Sequence, residues 1–135
     1  MQQIKKILFL CVENSARSQM AEAFFHAYSK KFQAISAGTN PSHNLNPLAI
    51  QAMKEVGIDI TSQKSKLISD EMIAKSSSII NMGCLNRETC PVFATDVIDW
   101  NISDPKGKSI EEVRKIREQI RYEVLALIKK LEDNL

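Results

Sequence analysis

The sequence predicts an α/β fold of three layers, in which a four-stranded parallel sheet carries helices on both faces. The first observation behind this prediction is that short apolar segments compatible with strands alternate with segments of helical periodicity. The second is the composition, because 44% hydrophobic and 25% charged residues suffice for a buried core and a hydrated surface. The third is the length of 135 residues, which fits one domain, and we expect that domain to span residues 1–135.

The first strand is predicted over residues 4–10, where the apolar run "IKKILFL" ends at Cys11. A helix is predicted over 15–31 because apolar residues recur there at helical spacing. Either Ser15 or Asn14 is expected to cap this helix. The chain therefore passes from strand to helix within a few residues of the cysteine.

A second strand and a second helix follow in the sequence. The strand is predicted over 33–38, in "QAISAG". The helix is predicted over 46–57, with Asn46 as its cap, Pro47 in its first turn and Gly57 as its stop.

The second half of the chain continues the alternation of strands and helices. Its predicted elements are a short helix over 69–77, strands over 77–83 and 96–102, and a long helix over 109–133. The long helix is amphipathic, and its apolar face consists of Ile110, Val113, Ile116, Ile120, Val124, Leu127, Ile128 and Leu131. Because the carboxyl ends of parallel strands share one rim of a sheet, we expect ligands to bind at that rim.

The charge balance and the cysteine content restrict the function further. The formal net charge of +2, from 18 basic and 16 acidic residues, is too balanced to indicate nucleic acid or a membrane surface as a partner. The first apolar run is too short for a signal peptide, and no run has the length of a membrane span. We therefore expect a monomeric cytoplasmic protein whose three cysteines are thiols. An odd number of cysteines suits nucleophilic or redox chemistry better than a disulfide framework.

Residues 11–18, "CVENSARS", have the composition of an oxyanion-binding loop. A loop that leads from a strand into a helix offers unpaired backbone N–H groups and the positive end of a helix dipole. Arg17 adds a planar pair of hydrogen-bond donors. The same field favours the thiolate form of Cys11, and Ser18 is placed to donate to that sulfur. The expected loop residues are Val12, Glu13, Asn14, Ser15, Ala16 and Arg17.

Cys84 and Cys90 form a second candidate redox element. Cys84 closely follows the third predicted strand, so the architecture brings it to the same rim as Cys11. In a straight helix, a separation of six residues gives about 9 Å of rise, whereas a disulfide needs Cα atoms roughly 4.4–6.8 Å apart. The pair closes only if the intervening residues form a loop, and the alternative is two ordinary half-buried thiols. Because C-x5-C is not a zinc-ligand spacing, we expect no metal site there.

The loop "CVENSARS" resembles the C-x5-R-S loop of the low-molecular-weight protein tyrosine phosphatase superfamily. Together with "SAG", "NPLAIQAMKEVGIDI" and the later "C…CP", it resembles more narrowly the thioredoxin-coupled arsenate reductases, from residue 7 to about residue 122. The resemblance implies the phosphatase-like three-layer fold and the reduction of arsenate to arsenite. It also implies that Cys11 is the nucleophile and that Arg17 clamps the oxyanion.

The resemblance further implies a disulfide relay among the three cysteines. Cys84 would attack the Cys11–arsenic adduct, release arsenite and form a Cys11–Cys84 disulfide. Cys90 would then attack Cys84 and leave a disulfide for thioredoxin, or for glutaredoxin as in other relatives. The resemblance implies no tightly bound cofactor, only this external thiol reductant.

Asp104 in "SDP" resembles the aspartate of the family's Asp-Pro, which acts as a general acid or base. From the residues alone, a turn after a strand is the better interpretation of Asp-Pro. Asp99 is the second candidate for the acid.

The reductase branch of this family often holds a potassium ion beside the loop, and the matching positions here are Asn14, Glu22 and Ser36. Lys66 stands where the family has an aspartate. We therefore expect its ammonium to replace the cation and activity to be indifferent to potassium. Glu13 stands where glycine is common, and its carboxylate should weaken oxyanion binding unless the side chain points to solvent.

Other functions are compatible with the same residues. A phosphatase acting on phosphotyrosine or a small phosphomonoester would need Cys11, Arg17 and Asp104 but neither later cysteine. The segment "TNPSHNLN" offers no aromatic residue to hold a phosphotyrosine ring, which disfavours that substrate. A third hypothesis is a non-enzymatic protein that binds oxyanions or senses thiols. The plainest interpretation of residues 11–18 is a strand–turn–helix junction with an incidental buried thiol.

Overall fold

The computed structural model describes residues 6–83 and 97–135, and the predicted parallel sheet is present in them. The strands are β1 (Lys6–Cys11), β2 (Gln33–Gly38), β3 (Ser78–Asn81) and β4 (Val97–Asp99). The helices are α1 (Arg17–Tyr28), α2 (Pro47–Glu55), α3 (Asp70–Lys75) and α4 (Ile110–Asp133). The four strands lie in the order β2–β1–β3–β4, and every neighbouring pair is parallel.

Strand β1 lies between β2 and β3, so the chain continues first to one side of β1 and later to the other. Cys11 pairs with Gly38 of β2, and Leu10 pairs with Asn81 of β3. Where the connections of a parallel sheet diverge in this way, a crevice opens beyond the carboxyl end of the strand. Cys11 is the last residue of β1 and therefore lies at this crevice.

Both faces of β1 are buried, as the three-layer prediction requires. Ile7, Phe9 and Cys11 belong to the larger core, which the sheet shares with α1, α2 and α4. Leu8 and Leu10 belong to the smaller core, against which the partly buried Met72 and Ile73 of α3 pack. The alternation of side chains along one strand thus supplies both layers of the core.

Helix α4 buries the apolar face predicted from its sequence. The buried residues of this face are Val113, Ile116, Ile120, Val124, Leu127 and Ile128. Ile110 and Leu131 complete the face and are half-buried. Within the two described ranges, none of the helices combines the length and the apolar character needed to cross a membrane.

Three of the helices begin with a side-chain cap. The side chain of Asn46 accepts a hydrogen bond from the backbone N–H of Leu48 at 2.9 Å, which confirms the predicted start of α2. Ser69 and Ser109 cap α3 and α4 in the same manner. Gly57 follows the end of α2 with a φ of 82°, the left-handed conformation that suits glycine.

Helix α1 begins differently from its prediction. It starts at Arg17 after Ala16, and no side chain caps it, so the expected caps Ser15 and Asn14 are wrong. The Asn14 side chain is instead committed to hydrogen bonds within the loop. The backbone N–H groups at the amino end of α1 therefore have no side-chain cap and remain available to a ligand held in the loop.

The third and fourth strands are shorter than predicted. The prediction extended them over 77–83 and 96–102, whereas β3 is Ser78–Asn81 and β4 is Val97–Asp99. Beyond β4, the N–H of Trp100 still donates to Asn81, but the next bond joins Ile102 to Trp100 within a turn. The carbonyls beyond the strand ends are thereby released for other partners.

Candidate active site

The junction of β1 and α1 forms a small cavity of about 130 Å³ at the carboxyl edge of the sheet. The residues that line it are Cys11, Val12, Glu13, Ser15, Ala16, Arg17 and Asp104. Cys11 is almost completely buried, with 2% of its surface exposed. The fold thus places the candidate nucleophile, the loop, the arginine and one candidate acid around a single concavity.

Within the described residues, the sulfur of Cys11 has two hydrogen-bond partners. The backbone N–H of Asn14 donates to it at 3.2 Å, and the hydroxyl of Ser18 lies 2.8 Å away. The side-chain amide nitrogen of Asn14 donates to the Ser18 oxygen at 2.7 Å. Because an amide NH₂ group can only donate, the Ser18 oxygen accepts this bond and keeps its own proton for the sulfur. Both partners therefore stabilise negative charge on the sulfur, as a nucleophilic thiolate requires.

Asn14 determines the shape of the loop. Its φ of 51° lies in the left-handed region, which asparagine tolerates better than most residues. Its side-chain oxygen accepts the backbone N–H of Lys66 at 2.8 Å. A backbone N–H can only be a donor, so this contact fixes the amide orientation and turns the nitrogen toward Ser18. Because Asn14 is fully buried, these bonds hold the loop from its inner side.

A buried amide network behind the loop was not predicted. The side-chain nitrogen of Gln19 donates to both oxygens of Asn14 at 3.0 Å and to the Lys64 carbonyl at 2.9 Å. Gln63 in turn donates to the side-chain oxygen of Gln19 at 2.6 Å. The one sequence signal was a glutamine between Ser18 and the apolar residues of the first helix. Its partner Gln63 lies 44 residues away, beyond the reach of local patterns.

The side of the loop that faces the cavity carries unused donors. The backbone N–H groups of Glu13, Ser15, Ala16 and Arg17 find no acceptor within the described ranges. They lie at the amino end of α1, where the helix dipole adds partial positive charge. Such an arrangement suits a tetrahedral oxyanion, whose oxygens would supply the acceptors.

Arg17 is fixed by backbone carbonyls. Its Nη1 donates to the carbonyl of Met82 at 2.7 Å and to that of Ile102 at 3.2 Å. Its Nη2 lies 3.7 Å from Oδ2 of Asp104, and the side chain is only 10% exposed. Since the anchors occupy Nη1, the remaining donors of the guanidinium are available to a ligand.

The structure distinguishes the two candidate acids. Asp104 lines the cavity and accepts the N–H of Lys106 at 3.0 Å, which orients its carboxylate. Asp99 instead accepts a hydrogen bond from Asn81 at 3.0 Å across β3 and β4. Asp99 is not among the described residues that line the cavity, so Asp104 is the better-placed acid.

Glu13 has a cationic partner that the sequence did not reveal. Lys106 Nζ donates a hydrogen bond to its carboxylate at 3.0 Å, and this bond raises the pKa of Lys106 above its usual value. The Glu13 side chain is partly exposed at 37%. The repulsion expected between Glu13 and an oxyanion is therefore reduced by the paired charge.

The residues predicted for a cation site lie behind the loop. Lys66 Nζ is 4.0 Å from a carboxylate oxygen of Glu22 and donates to the Lys64 carbonyl at 2.9 Å. The Glu22 side chain is only 11% exposed, and the Lys66 ammonium is a positive charge beside its carboxylate. On β2, the hydroxyl of Ser36 is buried and has no hydrogen-bond partner within residues 6–83 and 97–135.

Cys84 and Cys90 lie outside the described residues, and their meeting with Cys11 stays a prediction. The described residues immediately before Cys84 do lie beside the end of β1. Met82 donates its N–H to the Leu10 carbonyl at 2.7 Å, next to Cys11 at the end of β1.

Comparisons with known proteins agree with this geometry. The sequence matches the family described as "Low molecular weight phosphotyrosine protein phosphatase" over residues 6–135. An "Arsenate reductase" of Brevibacillus brevis is 40% identical over 123 residues, which cover 89% of this chain and 91% of that protein. The solved structure "An arsenate reductase in the phosphate binding state" superposes with a TM-score of 0.84 at 36% identity, covering 94% of this chain and 98% of the other. The "Corynebacterium glutamicum thioredoxin-dependent arsenate reductase Cg_ArsC1'" has a TM-score of 0.84 at 28% identity, covering 99% of this chain and 65% of that one.

Proposed function

Because this chain belongs to the low molecular weight phosphotyrosine protein phosphatase family, we propose that it is an enzyme that reduces arsenate to arsenite. The observation that carries the proposal is the Cys11 sulfur. It receives two hydrogen-bond donors inside a cavity that also presents unused N–H groups and an arginine. The activity named for the relatives selects arsenate among the tetrahedral oxyanions that such a cavity would accept.

Binding of the oxyanion comes first. The free N–H groups of the loop and the available donors of Arg17 surround the oxygens of arsenate, while the helix dipole favours their charge. The cavity volume of about 130 Å³ suits a small ligand such as a free oxyanion.

Attack by Cys11 follows. The sulfur supplies an electron pair to arsenic, an S–As bond forms, and one As–OH bond breaks. Asp104 gives a proton to the departing hydroxide, which leaves as water. Its carboxylate lies at the cavity beside Arg17, a position from which a leaving oxygen is within reach.

Reduction occurs when a second thiolate attacks the Cys11 sulfur, and we assign this step to Cys84. The new S–S bond replaces the S–As bond, whose electron pair stays on arsenic, so As(V) becomes As(III) and arsenite departs. Cys90 then attacks Cys84, and Cys11 leaves as a thiolate stabilised by Ser18 and Asn14. The support for this order is the set of three cysteines in the sequence and a relative named as thioredoxin-dependent.

The cycle closes when an external dithiol of the thioredoxin class reduces the Cys84–Cys90 disulfide and is itself oxidised. All three thiols must be reduced at the start of each turnover, and we therefore place the enzyme in a reducing compartment such as the cytoplasm.

We further infer that Lys66 takes the role of a bound cation behind the loop. Its ammonium already opposes the charge of the nearly buried Glu22, and its backbone N–H holds Asn14. Turnover should therefore be equal in sodium and potassium buffers of the same ionic strength. A clear rise with potassium would contradict the replacement and would point to the buried hydroxyl of Ser36 as a spare ligand.

The test of the proposed function is arsenate-dependent oxidation of NADPH in the presence of thioredoxin and thioredoxin reductase. The wild-type chain should support many turnovers, and Cys11→Ser should support none. Cys90→Ser should stop after one turnover and accumulate a Cys11–Cys84 disulfide, detectable by mass spectrometry. A signal no greater than that of Cys11→Ser would overturn the proposal.

The same assay set separates reduction from hydrolysis of phosphomonoesters. Hydrolysis needs Cys11, Arg17 and Asp104 but no relay. Cys90→Ser should therefore retain any hydrolysis of para-nitrophenyl phosphate while losing multiple turnover with arsenate. Vigorous hydrolysis without arsenate reduction would instead identify a phosphatase.

A further inference from the structure

Gly83 makes an unusually close approach to the guanidinium of Arg17. A Cβ atom added to Gly83 would lie 2.5 Å from Nη1, 2.6 Å from Nη2 and 2.7 Å from Cζ. All three distances are far inside van der Waals contact, so the guanidinium occupies the space that any other side chain at position 83 would enter. The guanidinium of Arg17 therefore packs directly against the backbone of Gly83.

Hydrogen bonds fix both the backbone of Gly83 and the guanidinium of Arg17. The N–H of Gly83 donates to the side-chain oxygen of Asn81 at 3.2 Å, and Asn81 is bonded to Asp99 on the neighbouring strand. The preceding carbonyl, that of Met82, accepts the 2.7 Å bond from Arg17 Nη1. Backbone before Gly83 thus anchors one end of the guanidinium while Gly83 itself supports its face.

Displacement of the guanidinium by a methyl group would affect its ligand-binding donors. The bonds to the Met82 and Ile102 carbonyls fix Nη1, so the group cannot move away from Gly83 without lengthening them. The donors that are free to meet an oxyanion would shift with it. Bidentate recognition depends on the position of a rigid planar fork, so a small displacement is costly.

We propose that Gly83 is a positioning residue for oxyanion binding, because the absence of a side chain there lets Arg17 lie across the backbone with its free donors facing the cavity. This inference deepens the proposed function and rests on it only for the identity of the natural oxyanion. Gly83 also directly precedes Cys84, so the residue that positions Arg17 is the sequence neighbour of the cysteine assigned to the relay.

The experiment is a double-mutant cycle on the binding of inorganic phosphate, measured by isothermal titration calorimetry. Gly83→Ala should raise the Kd by about tenfold, the loss of one hydrogen bond from a charged donor. Arg17→Ala should raise it further. Adding Gly83→Ala to Arg17→Ala should not raise the Kd any further, because Gly83 acts only through the guanidinium. A wild-type Kd in Gly83→Ala, or effects that add in the double variant, would overturn the proposal.

A second pair of variants covers the case in which Gly83→Ala does not fold. Arg17→Lys places a smaller ammonium near position 83, so Gly83→Ala in that background should fold and bind phosphate as Arg17→Lys does alone. A further loss of phosphate affinity in this pair contradicts a role through the guanidinium. Because the ligand is phosphate, the cycle gives its answer even if the chain fails to reduce arsenate, and the two proposals fail separately.

Discussion

The two sides of the loop at residues 11–18 differ in how completely their polar groups are used. On the inner side, Asn14 engages every polar group of its side chain, and Gln19 and Gln63 extend the network into the protein. On the side of the cavity, several backbone N–H groups have no acceptor within the described residues. The difference teaches that a loop can keep unsatisfied donors pointed at a ligand only if it is firmly bonded from behind.

The largest expected effect comes from breaking the inner side. Asn14→Ala leaves the Lys66 N–H without its side-chain acceptor and removes one of the acceptors of the Gln19 amide. It also removes the donor to Ser18 and places alanine in a left-handed conformation. We expect the free energy of unfolding to fall by about 3 kcal/mol. Denaturant unfolding measures this loss. Asn14→Gly is the matched control, because it removes the same hydrogen bonds but relieves the backbone strain. Its free energy of unfolding should fall by less than that of Asn14→Ala. Equal stability of Asn14→Ala and wild type would contradict the prediction.

The next effect tests the connection between the two sides, because Ser18 joins the inner amide to the sulfur. Ser18→Ala removes the hydroxyl donor at 2.8 Å from Cys11. We expect alkylation of Cys11 by iodoacetamide at pH 7 to slow by about tenfold, with a similar fall in kcat. The exposed Ser77→Ala serves as the control with unchanged rates. An unaltered alkylation rate in Ser18→Ala would show that the hydroxyl does not support the thiolate.

A smaller effect concerns the outer rim of the cavity. Lys106→Met leaves the Glu13 carboxylate without its partner at 3.0 Å and should weaken phosphate binding by about threefold, since both groups are partly exposed. Adding Glu13→Gln should restore the affinity. The difference should shrink at high salt, where exposed charges are screened. Failure of the second substitution to restore binding would assign Lys106 a direct contact with the anion.

The smallest effect lies outside both regions and serves as a reference for them. The hydrogen bond from Arg114, with help from Arg117, lowers the pKa of Glu55 from 4.5 to about 2. A lowered pKa in the folded state contributes stability above pH 4.5, and this contribution is lost as the pH falls toward 2. Glu55→Gln should therefore reduce the dependence of Tm on pH in this window and leave arsenate turnover at pH 7 unchanged. A wild-type pH profile of Tm in the variant would contradict the linkage.

The parts of the site that local residue patterns predict are encoded within one short segment, whereas Asp104 was identified through the family resemblance. Cys11, Arg17 and Ser18 fall within eight residues, and the change from strand to helix around them follows from local periodicity. The sheet was predictable for the same reason, because each strand and helix has its own pattern. Only the ends of the elements were misplaced, as at the uncapped start of α1.

The contacts that could not be predicted join distant parts of the chain. Gln63 meets Gln19 across 44 residues, and Lys106 meets Glu13 across 93 residues. Nothing in the local sequence distinguishes these polar residues from others that face solvent. Their roles follow from the fold, which brings three loops to one edge of the sheet.

The anchoring of Arg17 to the carbonyls of Met82 and Ile102 has an evolutionary consequence. Every amino acid carries the same main-chain oxygen, so substitutions at positions 82 and 102 keep the two hydrogen bonds to Arg17 as long as the core still packs. Natural drift and laboratory redesign can therefore alter both side chains without displacing the guanidinium of Arg17. A library randomised at these two positions should tolerate many apolar replacements.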